Sequence, residues 1–241
     1  MSQVDKTIQF LCIIYKSIIY KMRIHIKTTK NNVIIPFNYQ HKLVGALHKW
    51  LGINDLHGTM AMYSFSWLMN AIPNEKGLEY PNGANFFISF YDQDLCKRVI
   101  GSILNDPDIC YGLRVIDITI EEDPDLSNKN LFNCASPVFI RRYNNEGDQH
   151  YTYTNEISGE FLKETLLNKM EKAGLAPDET LNIRFDINAV NKKIKLIDYK
   201  GIKNRVCQCP IIIEAKPETK LFAWNVGLGN STGIGFGSIC Y

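Results

Sequence analysis

The 241-residue chain contains no apolar run long enough to cross a bilayer. The stretch 8–20 is apolar but has only 13 residues and is interrupted by Lys16, against the roughly 20 that a spanning helix needs. It also lacks a small-residue cleavage site, and Lys21 and Arg23 follow the apolar run instead of preceding it, the reverse of a secretory signal. No membrane partner is therefore expected. The seven cysteines are odd in number and follow no framework, which excludes a disulfide-stapled secreted domain and makes a reducing, cytoplasmic setting the expected one. Cys207 and Cys209 form a lone Cys-x-Cys without a second Cys or His pair nearby. A structural zinc needs four ligands, so core packing is the expected role.

Strong net charge is also missing. With 27 basic and 25 acidic residues the balance is +2, which alone predicts no polyanion partner. Its distribution says more: residues 184–205 hold seven basic side chains against Asp186 and Asp198. Phosphates could meet such a segment, as could plain solvent on an exposed hairpin face. The 45% apolar and 11% aromatic content supplies ample core, and the length fits one large or two small domains.

Along the chain, 22–28 alternates apolar and polar residues as a half-buried strand does. After Pro36, the segment 39–51 places Leu43, Ala46, Leu47, Trp50 and Leu51 at helical spacing, with Gly52 as a stop. Apolar runs at 61–68 and 84–91, a helix at 94–104 and a strand at 113–121 complete the order strand, helix, strand, strand, helix, strand, the ferredoxin-like unit. A polar, turn-rich linker is expected over 123–133. A second set follows: strands at 137–142, 181–185, 193–197 and 206–215, a helix at 159–173, a short element at 219–226 and a closing strand at 234–241. The expected fold is thus α+β, two tandem ferredoxin-like (RRM-like, βαββαβ) domains at 22–130 and 134–241. Residues 1–21 are read as an extension from a start upstream of Met22.

The stretch 227–237 has glycine at five of 11 positions, Gly227, Gly229, Gly233, Gly235 and Gly237. Glycines admit φ > 0 and let successive N–H groups converge on an anion. A Rossmann fingerprint must open a helix, and only four residues follow Gly237; a P-loop needs Gly-Lys-Ser/Thr, and no lysine follows Lys220. A tight glycine hairpin is the plain alternative.

Gly-x-Gly, a short polar insert, then Gly-x-Gly-Phe-Gly at the end of a doubled ferredoxin-like chain resembles the RAMP (repeat-associated) superfamily, specifically its CRISPR precursor-RNA processing endoribonucleases. Met22-Arg-Ile-His-Ile26, Ile35-Pro-Phe-Asn-Tyr-Gln-His41, Tyr63-Ser-Phe-Ser-Trp67 and Ser136-Pro-Val138 sit where that family has similar elements, so the resemblance covers 22–241. It implies RNA cleavage without metal or cofactor: the 2′-hydroxyl beside the scissile phosphate attacks, leaving a 2′,3′-cyclic phosphate and a 5′-hydroxyl. The implied partner is CRISPR repeat RNA, met as a homodimer or as a subunit of a CRISPR effector complex.

Histidine suits the acid and base of that reaction, because its pKa near 6.5 makes both forms available. Of five histidines, His41 and His48 are seven residues apart, two helical turns, which puts them on one face about 10 Å apart. His57 follows in the next loop. The family keeps its principal histidine in this loop and often a tyrosine or second histidine late on the first helix, matching His57 and His48; His41 is a third candidate. The family's lysine after the loop histidine has no counterpart in 58–62, which leaves the cation unassigned among Lys42, Lys49 and the basic segment. Expected RNA contacts are the five loop glycines, Lys192, Lys193, Lys195, Lys203, Arg205, Arg141 and Arg142. The alternatives are a non-cleaving RNA-binding subunit of a CRISPR ribonucleoprotein, a small-molecule nucleotide enzyme, and a structural protein.

Overall fold

In the computed structural model, which describes residues 22–52, 60–145 and 147–241, two four-stranded antiparallel sheets share one topology. The first half runs β1 (Met22–Thr28), α1 (Gln40–Leu51), β2 (Tyr63–Phe65), a small hairpin of β3 (Ile72–Asn74) and β4 (Gly77–Glu79), β5 (Asn85–Phe90), α2 (Gln93–Asn105) and β6 (Val115–Glu122). Its sheet order is β2-β5-β1-β6, which is the ferredoxin-like arrangement with one hairpin inserted. Alternation along β1 decides what each face does. Ile24 and Ile26 join Leu43, Leu47 and Trp50 of α1 and Leu95, Val99 and Ile103 of α2 in one core; Arg23 and His25 lie on the other face, opposite Ser89 and Phe87. Asp92 caps α2 by accepting from the amides of Asp94 and Leu95, and Gly52 ends α1 at φ 70°, as the sequence suggests.

The second half runs β7 (Leu131–Cys134), a hairpin of β8 (Ile140–Asn144) and β9 (Gly147–Tyr151), α3 (Ser158–Lys172), β10 (Asn182–Phe185), a long hairpin of β11 (Lys193–Tyr199) and β12 (Ile202–Gln208), β13 (Ile211–Glu214), α4 (Pro217–Val226) and β14 (Ile239–Cys240). The order β10-β13-β7-β14 repeats that of the first sheet. Four expectations need correction here. The stretch read as linker up to Asn133 already holds β7, whose Phe132 is fully buried. The strand expected at 137–142 is displaced to β8 and belongs to a separate hairpin. The single strand expected at 206–215 is two, because Pro210 lacks the amide a continuous ladder would use. The closing strand shrinks to two residues, since a 3-10 turn occupies Thr232–Ile234. The reading of 1–21 falls outside the described residues. Cys207 and Cys209 are buried in the second core. Among the described residues no helix is long and apolar enough to cross a membrane.

Arg23 ties the halves together. It is 2% exposed, its guanidinium lies between the Phe87 ring at 3.8 Å and the Trp224 ring at 3.3 Å, and it donates to Ser89 Oγ (2.7 Å), the Ile239 carbonyl (2.9 Å) and the Trp224 carbonyl (3.2 Å). Burial draws its pKa down to about 9, against the pull of Glu121, which leaves it charged at neutrality. Trp224 and Ile239 belong to α4 and β14, so this side chain helps to fix the second half on the open face of the first sheet.

Candidate functional site

The glycine-rich segment 227–237 connects α4 to β14 and lies between the two halves. Both halves hold its carbonyls. From the first, Gln40 Nε2 donates to the carbonyls of Ile234 (2.7 Å) and Gly235 (3.2 Å), Trp67 Nε1 to that of Gly235 (2.8 Å), and the Tyr63 hydroxyl to that of Gly233 (3.4 Å). Burial, then the neighbouring Tyr199, pushes the Tyr63 phenol up to about 12, so it stays protonated as a donor. From the second, Lys169 Nζ of α3 donates to the Val226 carbonyl (2.8 Å), Thr232 Oγ1 (3.0 Å) and the Gly227 carbonyl (3.4 Å). The Asn230 and Gly237 amides donate to the Phe139 and Pro137 carbonyls.

This packing explains the glycines. A Cβ on Gly237 would stand 1.9 Å from the Leu228 carbonyl oxygen, one on Gly229 2.4 Å from that of Phe139, and one on Gly235 2.9 Å from the Phe65 ring. Gly227, Gly229, Gly235 and Gly237 are buried and have positive φ. The close approach expected of these glycines is thus first an approach to the protein itself; Gly229 and Gly233 also line a cavity. The amides of Ser231, Thr232 and Gly233 make no hydrogen bond among the described residues, so the loop keeps successive donors available for an anion.

That cavity, about 590 Å³, opens between the loop, the end of α1, α3 and β8, and His48, Tyr63, Arg141, Lys169 and Lys172 line it with loop residues 229–234. No carboxylate lines it among the described residues. An adjoining groove shares Arg141, Thr165 and Asn230 and continues past Tyr143, whose ring is 82% exposed. A cationic, loop-floored cleft leading to an exposed aromatic suits a single nucleic-acid strand, with amides and cations for phosphates and a ring for a base.

The other candidates divide. His48 lies in the cleft. His41, in the first turn of α1, donates from Nδ1 to the Asn38 carbonyl (2.9 Å) and does not line the cleft. His57 lies outside the described residues. Of the proposed cations, Lys49 donates to the Asp108 carbonyl and pairs with Asp106. Arg141 lines the cleft, whereas Arg142 lies over the Phe161 ring at 4.5 Å and donates to the Phe161 carbonyl, Glu164 and Thr165, an anchoring role. The basic segment is split by strand register: Lys193 and Lys195 share one face of the β11–β12 hairpin with Tyr199, and Lys203 and Arg205 share the other. Lys195 reaches over Trp67 at 5.4 Å, and burial, then Lys193, lowers its pKa. Lys192 donates to the Ala189 carbonyl and lines a different cavity with Arg184. Among the described residues no group of three His, Cys, Asp or Glu side chains could hold a metal ion. Lys169, Lys172 and Tyr63 were not singled out from the sequence. Lys169 did leave a signal, a lysine at the buried spacing of Leu162, Leu166 and Met170 on α3.

Residues 120–240, half of the chain, match the family described as CRISPR associated protein Cas6, C-terminal. The chain belongs to the Cas6 family. Similar curated proteins are the CRISPR-associated endoribonuclease-like Cas6 proteins of Pyrococcus furiosus, 24% identical, and Pyrococcus horikoshii, 23% identical, each over 90% of this chain and 98% of the relative. Among solved structures, a Cas6-related protein from Pyrococcus furiosus superposes with a TM-score of 0.79 at 22% identity, over 91% of this chain and 98% of that one. A RAMP protein binding different RNA substrates gives 0.76 at 20%, over 90% and 98%. The tandem ferredoxin-like fold is therefore that of Cas6 and RAMP proteins, and the cleft described above lies in a Cas6 framework.

Proposed function

We propose that the chain is a metal-independent endoribonuclease that cuts CRISPR repeat RNA into guide RNAs, using the cleft between its two halves. The observation that carries this reading is the meeting of His48 with unbonded loop amides and the cations Arg141, Lys169 and Lys172 in one cavity free of carboxylates among the described residues. In-line attack by a 2′-hydroxyl needs a base for its proton, an acid for the leaving 5′-oxygen, and positive charge for the phosphorane. His48, with His57 as its partner, takes the first two roles. The loop amides and Arg141 take the third, with Lys193, Lys195, Lys203 and Arg205 of the hairpin as outer phosphate contacts. The chain's relatives and structural neighbours support it: endoribonuclease-like Cas6 proteins and a Cas6 product complex.

The test is to incubate the protein with repeat RNA of its own array in excess EDTA and map the ends. A single cut ending in a 2′,3′-cyclic phosphate, reduced about 10²- to 10⁴-fold in His48→Ala, supports the proposal. Tight binding without cutting shows the non-cleaving RNA-binding subunit instead. Neither binding nor cutting ends both readings.

A further inference from the structure

Lys169 lines the cleft without a role in the proposed reaction, and its surroundings are unusual. It is 2% exposed, and its three hydrogen-bond partners are two carbonyls at the end of α4 and the Thr232 hydroxyl. All are neutral. Among the described residues, the titratable and charged groups that line the cleft with it are Lys172 from its own helix, His48 from α1, Tyr63 from β2 and Arg141 from β8; the glycine segment contributes none. The nearest carboxylates of the adjoining groove, Asp148 and Glu164, are paired with Arg141 and Arg142. A buried ammonium without a counter-anion among the described residues is strongly disfavoured.

The hydrogen bonds suit either protonation state. An ammonium donates three times, to Val226, Gly227 and Thr232. A neutral amine donates to the two carbonyls and accepts from the Thr232 hydroxyl, which needs only rotation of that O–H. The loop is therefore held both ways, and the balance between the two forms depends on what charge enters the cleft. Thr232, the residue Lys169 holds, lies in the run 231–233 whose amides make no hydrogen bond among the described residues. A phosphate on those amides would sit one residue from Lys169's partner.

We propose that Lys169 makes RNA binding proton-linked: the phosphate that docks on amides 231–233 supplies the counter-charge that no described residue gives this buried amine, and the complex takes up one proton. The inference rests on the proposed reading of the cleft as an RNA site. Burial lowers the Lys169 pKa to about 7 in the free protein, and an adjacent phosphate raises it. The sign follows: affinity is greatest where both states are protonated and falls as pH rises above the free-state value. Linkage gives a loss of about fivefold between pH 7 and pH 8 and about tenfold per unit beyond, until the bound-state pKa is reached.

The probe is repeat RNA of the chain's own array carrying 2′-fluoro riboses, which cannot cleave itself. Titration calorimetry at pH 7.5 in buffers of different ionisation enthalpy reads the protons taken up, and affinity is measured from pH 6.5 to 9. Expected are uptake of a large fraction of a proton, loss of affinity above pH 7, and abolition of both in Lys169→Met, which keeps the side-chain length. Lys169→Arg, charged throughout, restores affinity with no uptake in this range. His48→Ala separates any contribution of the histidine from that of Lys169. Binding without proton uptake, or uptake that persists in folded Lys169→Met, overturns the inference. Absence of RNA binding at every pH overturns instead the reading of the cleft. The wild-type calorimetry decides the matter even where a variant does not fold.

Discussion

Replacing Arg23 by Met tests how the two halves are joined. Methionine fills most of the space between the Phe87 and Trp224 rings, so the cavity term is small and the change isolates the polar ties. The Ile239 and Trp224 carbonyls, which receive Arg23 at 2.9 and 3.2 Å, are left in a buried contact without that donor, at about 1–3 kcal/mol each. Loss of the cation between two rings removes about 2 kcal/mol more. Relief of burying a charge offsets part of this. The net expectation for Arg23→Met is a loss of about 3 kcal/mol, which for a chain of this size lowers Tm by roughly 6–12 °C. Calorimetric melting checks it, and the endotherm should broaden or split as the halves uncouple. A Tm within about 2 °C of the wild type, with one unchanged transition, would refute the view that this arginine joins the halves. Arg23→Lys should fall between, because an ammonium cannot stack and fork as a guanidinium does.

Gly237→Ala should prevent stable folding or lower stability by several kcal/mol, because its Cβ would stand 1.9 Å from a backbone oxygen at φ 69°; Gly45→Ala, in α1 with nothing within 4 Å, should raise stability by about 0.5–1 kcal/mol. Denaturant titration of both compares a required glycine with a dispensable one. For Asp178, burial pushes the carboxyl pKa up, but hydrogen bonds from the Thr180 hydroxyl, the Lys216 amide and the Thr219 hydroxyl outweigh it and hold it at about 2. A folded value below the unfolded 3.8 means stability present above pH 4 and lost as pH falls toward 2, worth about 2 kcal/mol; Asp178→Asn should therefore be destabilised at pH 7, with a gap that narrows in acid melts. Burial raises the thiols of Cys207 to about 12 and Cys209 to about 11, so neither should react with iodoacetamide at pH 8 until the chain is unfolded, as peptide mapping would show.

Periodicity made the first half legible. Leu43, Leu47 and Trp50 recur at helical spacing, Ile24 and Ile26 alternate, and the asymmetry of each face is strong. In the second half the signals are short. β7 is four residues in a polar, turn-rich stretch, with Phe132 its only fully buried side chain, and β14 is two residues; neither spans enough periods to stand out. Pro210 breaks the apolar run 206–215 and marks the end of one strand and the start of the next. Composition pointed to the glycine segment but could not say what the glycines approach, because a close contact with Phe139 or Leu228 and one with a ligand demand the same residue. Of the cleft, His48 and Arg141 were legible; Lys169 needed the helix face of α3 read for a polar intruder. The basic segment misled by counting charges without assigning them to faces.

The ties that shape the cleft join residues made far apart in time. Gln40 meets Ile234 across 194 positions and Arg23 meets Ile239 across 216. A ribosome that has passed the first sheet has produced α1 with His48, yet no floor opposite it. Closing such distant contacts is slow relative to forming the helices, so these ties form only after the C-terminal segment has been made. An emerging chain thus lacks the floor of this cleft until the glycine segment 227–237 has been made.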